Sequence, residues 1–234
     1  MNTKIIHEAQ NSPRDLSVIE KPAVSVSLLI FSINKGKLEV ILIKRIRQPF
    51  EGFWSVPGDI ISIEESLEEA ALRVLHEKTG ISDVYLEQLY TFGDLKRDSR
   101  GRVITIAYFA LIPHNSVDLT KAPDALHARW TPVLNLPKEL AFDHKKIVEY
   151  GSKRLKNKIG YSNIVQGLVP GKFRFSELQK IYEIILGEKL DKRNFRKKMT
   201  SLDIVRDTGE MYREGKHRPA KLYRFTTKNL VIYD

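Results

Sequence analysis

The 234 residues include 39 Lys and Arg against 29 Asp and Glu, a formal charge of +10, with 42% hydrophobic and 29% charged residues. That balance allows a sizeable buried core and excludes collagen-like or wholly disordered classes. Cys is absent, which excludes disulfides, thiolate metal sites and a cysteine nucleophile. The longest apolar runs, such as Val24 to Phe31, fall far short of a membrane span, and Met1 to Arg14 is too polar for a signal peptide. The chain therefore reads as cytoplasmic, with no membrane partner.

After an N-terminal arm, residues 1–20, the segments 22–33 and 38–45 are rich in β-branched apolar residues around Asn34-Lys35-Gly36 and predict a hairpin. Ser66 to Thr79 places Leu67, Ala70, Ala71, Val74 and Leu75 at helical spacing and stops at Gly80. Val84–Phe92 and Val103–Ile112 read as strands, and His144–Leu155 and Asn157–Val165 as helices, with Asp143 a candidate cap and His144 a structural residue. Residues 21–155 are thus expected to form an α+β ligand domain.

Residues 156–234 have a different pattern. Ser176 is expected to cap a helix that Gly187 ends, and Asp191 to cap a second from Lys192 to about Leu202. Ile204–Arg206 and Lys221–Phe225 can then pair as strands around a basic tip, giving a winged helix-turn-helix.

The charge is segregated in the same way: residues 1–144 hold 17 basic and 19 acidic residues, residues 145–234 hold 22 and 10. Such a cationic field favours polyanions, and double-stranded DNA is the expected partner. At 100° per residue the second helix puts Phe195, Met199 and Leu202 on one stripe and Arg193, Arg196, Lys197 and Thr200 on another. Arg193 and Arg196 suit bidentate contact with guanine, Asn194 suits adenine or phosphate, and Lys192 and Lys197 suit phosphate. Lys216, His217, Arg218 and Lys221 would contact DNA from the wing.

The segment WSVPGDIISIEESLEEAALRVLHEKTGI, Trp54 to Ile81, resembles the Nudix box: G, five residues, E, seven residues, then R-E-U-x-E-E-x-G-U, with U apolar. Glu65, Arg73, Leu75, Glu77, Gly80 and Ile81 match it. Asp59 replaces the first G, Val74 the E after Arg73, and Lys78 the second E of the pair. Positions 74, 77 and 78 differ by three and four and are expected to share a helix face that would hold Mg²⁺, so two metal-ligand carboxylates are missing. Lys78 would instead sit beside a ligand phosphate. The alternative for the acidic residues is a dipole role at a helix start, with Arg73 paired to Glu69 or Glu77.

With LEQLYTFGDLKRDSRGR, AFDH and the tail DKRNFRKK to RPAKLYRF, the box makes nearly the whole chain similar to the Nudix-related transcriptional regulators, the NrtR family. The resemblance implies a Nudix α/β/α sandwich with a mixed sheet, fused to a C-terminal winged helix that binds a palindromic operator as a homodimer. It also implies a repressor of NAD-metabolism genes sensing ADP-ribose. The alternatives are a pentose-sensing regulator of sugar utilisation and an active Nudix pyrophosphohydrolase with a nucleic-acid-binding tail. No catalytic residue, metal site or required cofactor is expected, and Mg²⁺ would matter only to residual hydrolysis. Candidate effector residues are Arg45, Phe50 and Trp54 for stacking, Arg73, Glu77, Lys78 and Arg102. Phe50 and Trp54 can equally be core residues, and Arg102 can cap a strand end.

Overall fold

The computed structural model describes residues 20–82, 84–117, 119, 128–213 and 219–233. The arm up to residue 19 and the wing-tip candidates Lys216, His217 and Arg218 lie outside them. The predicted hairpin forms from β1 (Ala23–Asn34) and β2 (Lys37–Lys44). Lys35 and Gly36 both take positive φ, 45° and 78°, as a tight two-residue hairpin turn demands.

Strand β1 is buried on both faces, and its alternation builds two layers. Val26, Leu28 and Ile30 pack with Ala70, Ala71, Val74 and Leu75 of helix α1 (Leu67–Thr79), while Leu29 and Phe31 pack with Ile147, Val148 and Leu155 of helix α2 (His144–Lys158). Short strands β3 (Trp54–Ser55) and β4 (Gly58–Ile60) follow the hairpin, and β5 (Glu87–Phe92), β6 (Val103–Leu111) and β7 (Ala128–Pro132) complete the sheet. Its order is β3-β2-β1-β6-β5, with β4 joined to β1 and β7 to β2. The β1–β6 pair is parallel and the other pairs are antiparallel. This is the expected α/β/α sandwich with a mixed sheet.

Helix α1 starts in a capping box between Ser66 and Glu69 and stops at Gly80, whose φ is 70°. Helix α2 packs unusually close to the sheet, because a Cβ on Gly151 would stand 2.2 Å from a Leu29 methyl. The helix expected over Asn157–Val165 does not form. Instead α2 continues through Lys158 and a 3₁₀ turn spans Ile164–Leu168. Asn163, just before that turn, is fully buried and committed to the C-terminal tail: its Nδ2 donates to the Asn229 carbonyl at 3.0 Å and its Oδ1 accepts from Val231 N at 2.7 Å. Strand β5 begins at Glu87 rather than Val84.

The C-terminal part is the predicted winged helix: β8 (Phe173–Arg174), α3 (Phe175–Leu186), α4 (Lys192–Ser201), β9 (Val205–Tyr212) and β10 (Ala220–Phe225), with sheet order β8-β10-β9. Ser176 lies inside α3, not at its cap. The cap position is Arg174, whose backbone N–H donates to the Glu177 carboxylate at 2.7 Å. Asp191 does cap α4, accepting from Asn194 N at 2.8 Å. The same apolar cluster that contains Phe31 and Leu155 continues into Leu178, Tyr182 and Phe195, so the two modules share one core. Among the described residues, no helix is long and apolar enough to cross a membrane.

Candidate ligand cleft and nucleic-acid interface

A cleft of about 470 Å³ opens where the end of β2, the β3–β4 connection, the loop before β6 and the start of α2 meet. Six cations line it, Lys44, Arg45, Arg47, Lys78, Arg97 and Arg100, against two carboxylates, Asp59 and Asp98. Three of them, Arg45, Arg97 and Arg100, are fixed by partners behind them. Arg97, with a side chain 4% exposed, donates Nη2 to Asp143 Oδ1 at 2.9 Å and Nε to Oδ2 at 3.2 Å. Arg100 grips the buried Asp98 in the same bidentate way, at 2.7 and 3.0 Å, and holds that carboxyl below its usual range.

Arg45 donates Nε to the Pro49 carbonyl at 2.8 Å and lies 4.8 Å above the Phe142 ring, with Arg100 5.8 Å from the same ring. Burial and then the charge of Arg100 lower the Arg45 pKa. This like-charge pressure is what an entering anion would relieve. Behind them His144 Nδ1 accepts from Val56 N at 3.1 Å, and its pKa is pushed down to about 3 by burial and by Arg97 and Arg45. The ring is therefore neutral near pH 7, with the structural role expected of it. Asp143 makes no side-chain capping bond to α2, because its carboxylate is held by Arg97. The arrangement suits a phosphate-bearing anion, because guanidinium forks match phosphate oxygens. Gly58 in the cleft wall serves the sheet: any Cβ there would lie 2.7 Å from the Val26 carbonyl of the paired strand.

Of the expected effector residues, Arg45 and Lys78 line this cleft. The others are engaged elsewhere. Phe50 packs edge-on against Phe53 and Phe142, and Trp54 is covered by Arg129, 3.7 Å from its ring centre. Arg102 Nη1 donates to the Gly93 carbonyl at 2.7 Å, fastening a strand end. Arg73 is gripped by Glu65 at 2.6 and 2.9 Å, with Glu77 at 3.4 Å. Arg97, Asp98, Arg100 and Phe142 were missed as individual residues. The signal for the first three was the charged run DLKRDSRGR, and for Phe142 the segment AFDH; both carried the resemblance without showing which side chains meet.

On α4, Phe195 and Met199 are buried while Lys192, Arg193, Asn194 and Lys197 are exposed, so the predicted faces are those observed. Arg196 differs from its neighbours: its guanidinium bonds to the Tyr223 hydroxyl and lies near the Phe175 ring. Lys221 forms an ion pair with Asp207 at 2.7 Å.

The NUDIX domain family model matches residues 21–151, and that of the NrtR DNA-binding winged helix domain matches residues 165–225. The ADPR responsive transcriptional repressor NtrR of Acinetobacter baylyi is 39% identical over 211 residues, 89% of this chain and 84% of that protein. The chain belongs to the NrtR family. The crystal structure of Shewanella oneidensis NrtR complexed with a 27mer DNA is similar with a TM-score of 0.77 and 34% identity, over 87% of this chain and 93% of that one. The NUDIX domain of the same protein complexed with ADP ribose gives a TM-score of 0.53 and 36% identity, over 60% and 93%. The ADP-ribose pyrophosphatase of Methanocaldococcus jannaschii is 37% identical over 128 residues, 55% of this chain and 72% of that enzyme.

Within this NrtR-family chain the box has taken on structural work. Positions 74, 77 and 78 do not share one open face as expected. Val74 has no exposure and belongs to the core under β1, Glu77 turns to Arg73, and Lys78 lines the cleft. Glu65 holds Arg73, which together with the Ser62 backbone lowers its pKa to about 2. Arg73 pairs with it and with Glu77 rather than with Glu69. Glu69 completes the α1 capping box, and Glu68 accepts from the Tyr108 hydroxyl at 3.2 Å. Among the described residues, no group of three or more His, Asp or Glu converges to hold a metal ion.

Proposed function

We propose that the chain is a DNA-binding transcriptional repressor of NAD-metabolism genes that senses ADP-ribose or a related nucleoside diphosphate and does not depend on hydrolysing it. The observation that carries this reading is the link between the cleft and the DNA-binding module. Arg97, in the cleft wall, is bonded to Asp143 at the first turn of α2. Near the far end of α2, Lys156 Nζ donates to the Leu186 carbonyl at the C-terminus of α3 at 2.6 Å. A helix of this length is about 22 Å of rigid rod, so an anion bound by Arg97, pulling on the intact Arg97–Asp143 pair, acts directly on the element that seats the winged helix.

The ligand class follows from charge. Six cations against two carboxylates favour a diphosphate over a neutral pentose. The Acinetobacter relative is ADPR responsive by name, and the Shewanella domain holds ADP ribose in its crystal. In the DNA-bound form a homodimer would set two α4 helices about 34–36 Å apart, or a multiple of that, on a palindrome. A ligand that weakens operator binding a hundredfold must favour the released geometry by about 2.7 kcal/mol.

A second reading, hydrolysis of ADP-ribose, has the Methanocaldococcus enzyme in its favour. Against it stand Val74, sealed in the core, and Lys78, a cation where the box supplies a carboxylate. One experiment separates the two: a mobility shift on DNA upstream of the chain's own operon at physiological salt, with and without ADP-ribose, followed by assay of the nucleotide. The proposal expects a specific shift that ADP-ribose abolishes while remaining intact. No specific shift, with the nucleotide consumed, would mean the chain is a hydrolase.

A further inference from the structure

Arg196 stands on the exposed side of the recognition helix α4, yet its guanidinium is directed inward. It donates to the Tyr223 hydroxyl and lies 5.0 Å from the Phe175 ring centre and 5.4 Å from that of Tyr223. Tyr223 is a buried residue of β10, 9% exposed, and its ring packs edge-on against Phe175 at the start of α3. One side chain thus joins both helices of the helix-turn-helix to the wing.

The backbone of the wing is shaped at the same place. The register of β10 on β9 shifts between Lys221 and Tyr223, from Lys221↔Met211 to Tyr223↔Asp207, and Gly209 inside the shift takes a φ of 76°. A bulge of this kind re-aims a side chain. Thr208 Oγ1 ties it down by donating to the Leu222 carbonyl at 3.0 Å, and Asp207, paired with Lys221, also feels the charge of Arg196.

We propose that Tyr223 is a positioning residue for operator recognition, holding Arg196 as a strut that fixes the angle between α4 and the wing. This rests on the DNA-binding reading given above. In this role Arg196 acts on specificity through geometry, while Arg193, Asn194 and Lys197 face the nucleic acid. A flat, five-donor guanidinium between two rings and a phenol oxygen can serve as such a strut, and a Lys ammonium cannot replace it.

The experiment compares the full-length wild type, Tyr223→Phe and Arg196→Lys by operator binding, binding to unrelated duplex, salt dependence and thermal midpoint. Tyr223→Phe keeps the ring and its packing and removes only the acceptor. Arg196→Lys keeps the charge and removes the fork. Both are expected to lower the operator-to-nonspecific ratio about tenfold, with unrelated-duplex affinity, salt slope and thermal midpoint nearly unchanged. The loss should spread over several operator positions, because a tilted helix misplaces all its contacts together. Unchanged discrimination in Tyr223→Phe would overturn the proposal. So would a loss in Arg196→Lys confined to one base pair, which would make Arg196 a direct reader. If Tyr223→Phe lowers the midpoint strongly, Arg196→Lys decides alone. A wild type that shows no operator preference fails the DNA-binding reading itself.

Discussion

The ligand cleft and the outer face of α4 are both built on basic side chains, and they use them in opposite ways. In the cleft, Arg97 and Arg100 each have a carboxylate behind them, at 2.9 and 2.7 Å, and Arg45 is braced by a carbonyl and a ring. On α4, Lys192, Arg193, Asn194 and Lys197 stand exposed on a helix held from beneath by Phe195 and Met199. A small anion must be met by donors already in place, since a loose site would have to order them on binding. A DNA backbone is a long, regular charge, and flexible cations track it well by releasing its counterions. The cleft should therefore be stiff and costly to alter, and the helix face soft and sensitive to salt.

The largest break in that comparison is at Asp143. Replacing it by Ala leaves the buried Arg97 guanidinium without its partner and is expected to cost about 3–5 kcal/mol in chemical denaturation. Lys197→Ala should change stability by no more than about 0.5 kcal/mol. A loss at Asp143 as small as that at Lys197 would mean that the cleft is no stiffer than the surface.

Next in size is the acid response of the cleft wall. His144 is neutral in the fold, with a pKa of about 3 against 6.5 for the free residue. Only the unfolded chain takes up its proton as pH falls below about 6.5. The His144 contribution is therefore complete above that pH and is lost progressively towards pH 3, reaching about 2 kcal/mol at pH 5. His144→Asn, which can still accept from Val56 N, should flatten the stability-pH curve between pH 6.5 and 5. An equally steep curve in that variant would place the titrating group elsewhere.

These two residues also mark where sequence reading stops. Local features were legible: the hairpin at Lys35-Gly36, the stop at Gly80, the Asp191 cap and the two faces of α4 all lie within a few residues of their causes. The Arg97–Asp143 pair joins residues 46 apart in sequence, and nothing local distinguishes Arg97 from Arg102, which fastens a strand end. Strands β3 and β4 have two and three residues, too few for a period-two pattern to emerge. The box shows the same limit. Its spacing identified the motif and suggested one shared face for Val74, Glu77 and Lys78, while the apolar spacing of the same helix grouped Val74 with Ala70, Ala71 and Leu75. Packing under the sheet decided between the two and took Val74 into the core.

On the DNA side, Arg193→Ala is expected to weaken operator binding by about 1–3 kcal/mol and to relax preference at one base-pair position, measured by shift titrations against single-base operator variants. Equal weakening on all variants would turn Arg193 into a backbone contact. Its effect on folding should be small, since its side chain is exposed, so the contrast with Asp143 is one of kind: one residue carries structure, the other recognition.

The smallest effect sharpens the comparison most. Lys197→Ala removes a single exposed point charge, so it should weaken operator and unrelated duplex alike and reduce the slope of log affinity against log salt by about one. Affinity for ADP-ribose, held by cations already braced inside the cleft, should be unchanged by this substitution and should itself vary little with salt, because partly buried ion pairs are screened less than exposed ones. Titrating both ligands over the same salt series tests both halves. A ligand affinity that falls with salt as steeply as DNA affinity would show that the cleft cations are as loosely held as those of α4, and the division of labour between the two basic sites would fail.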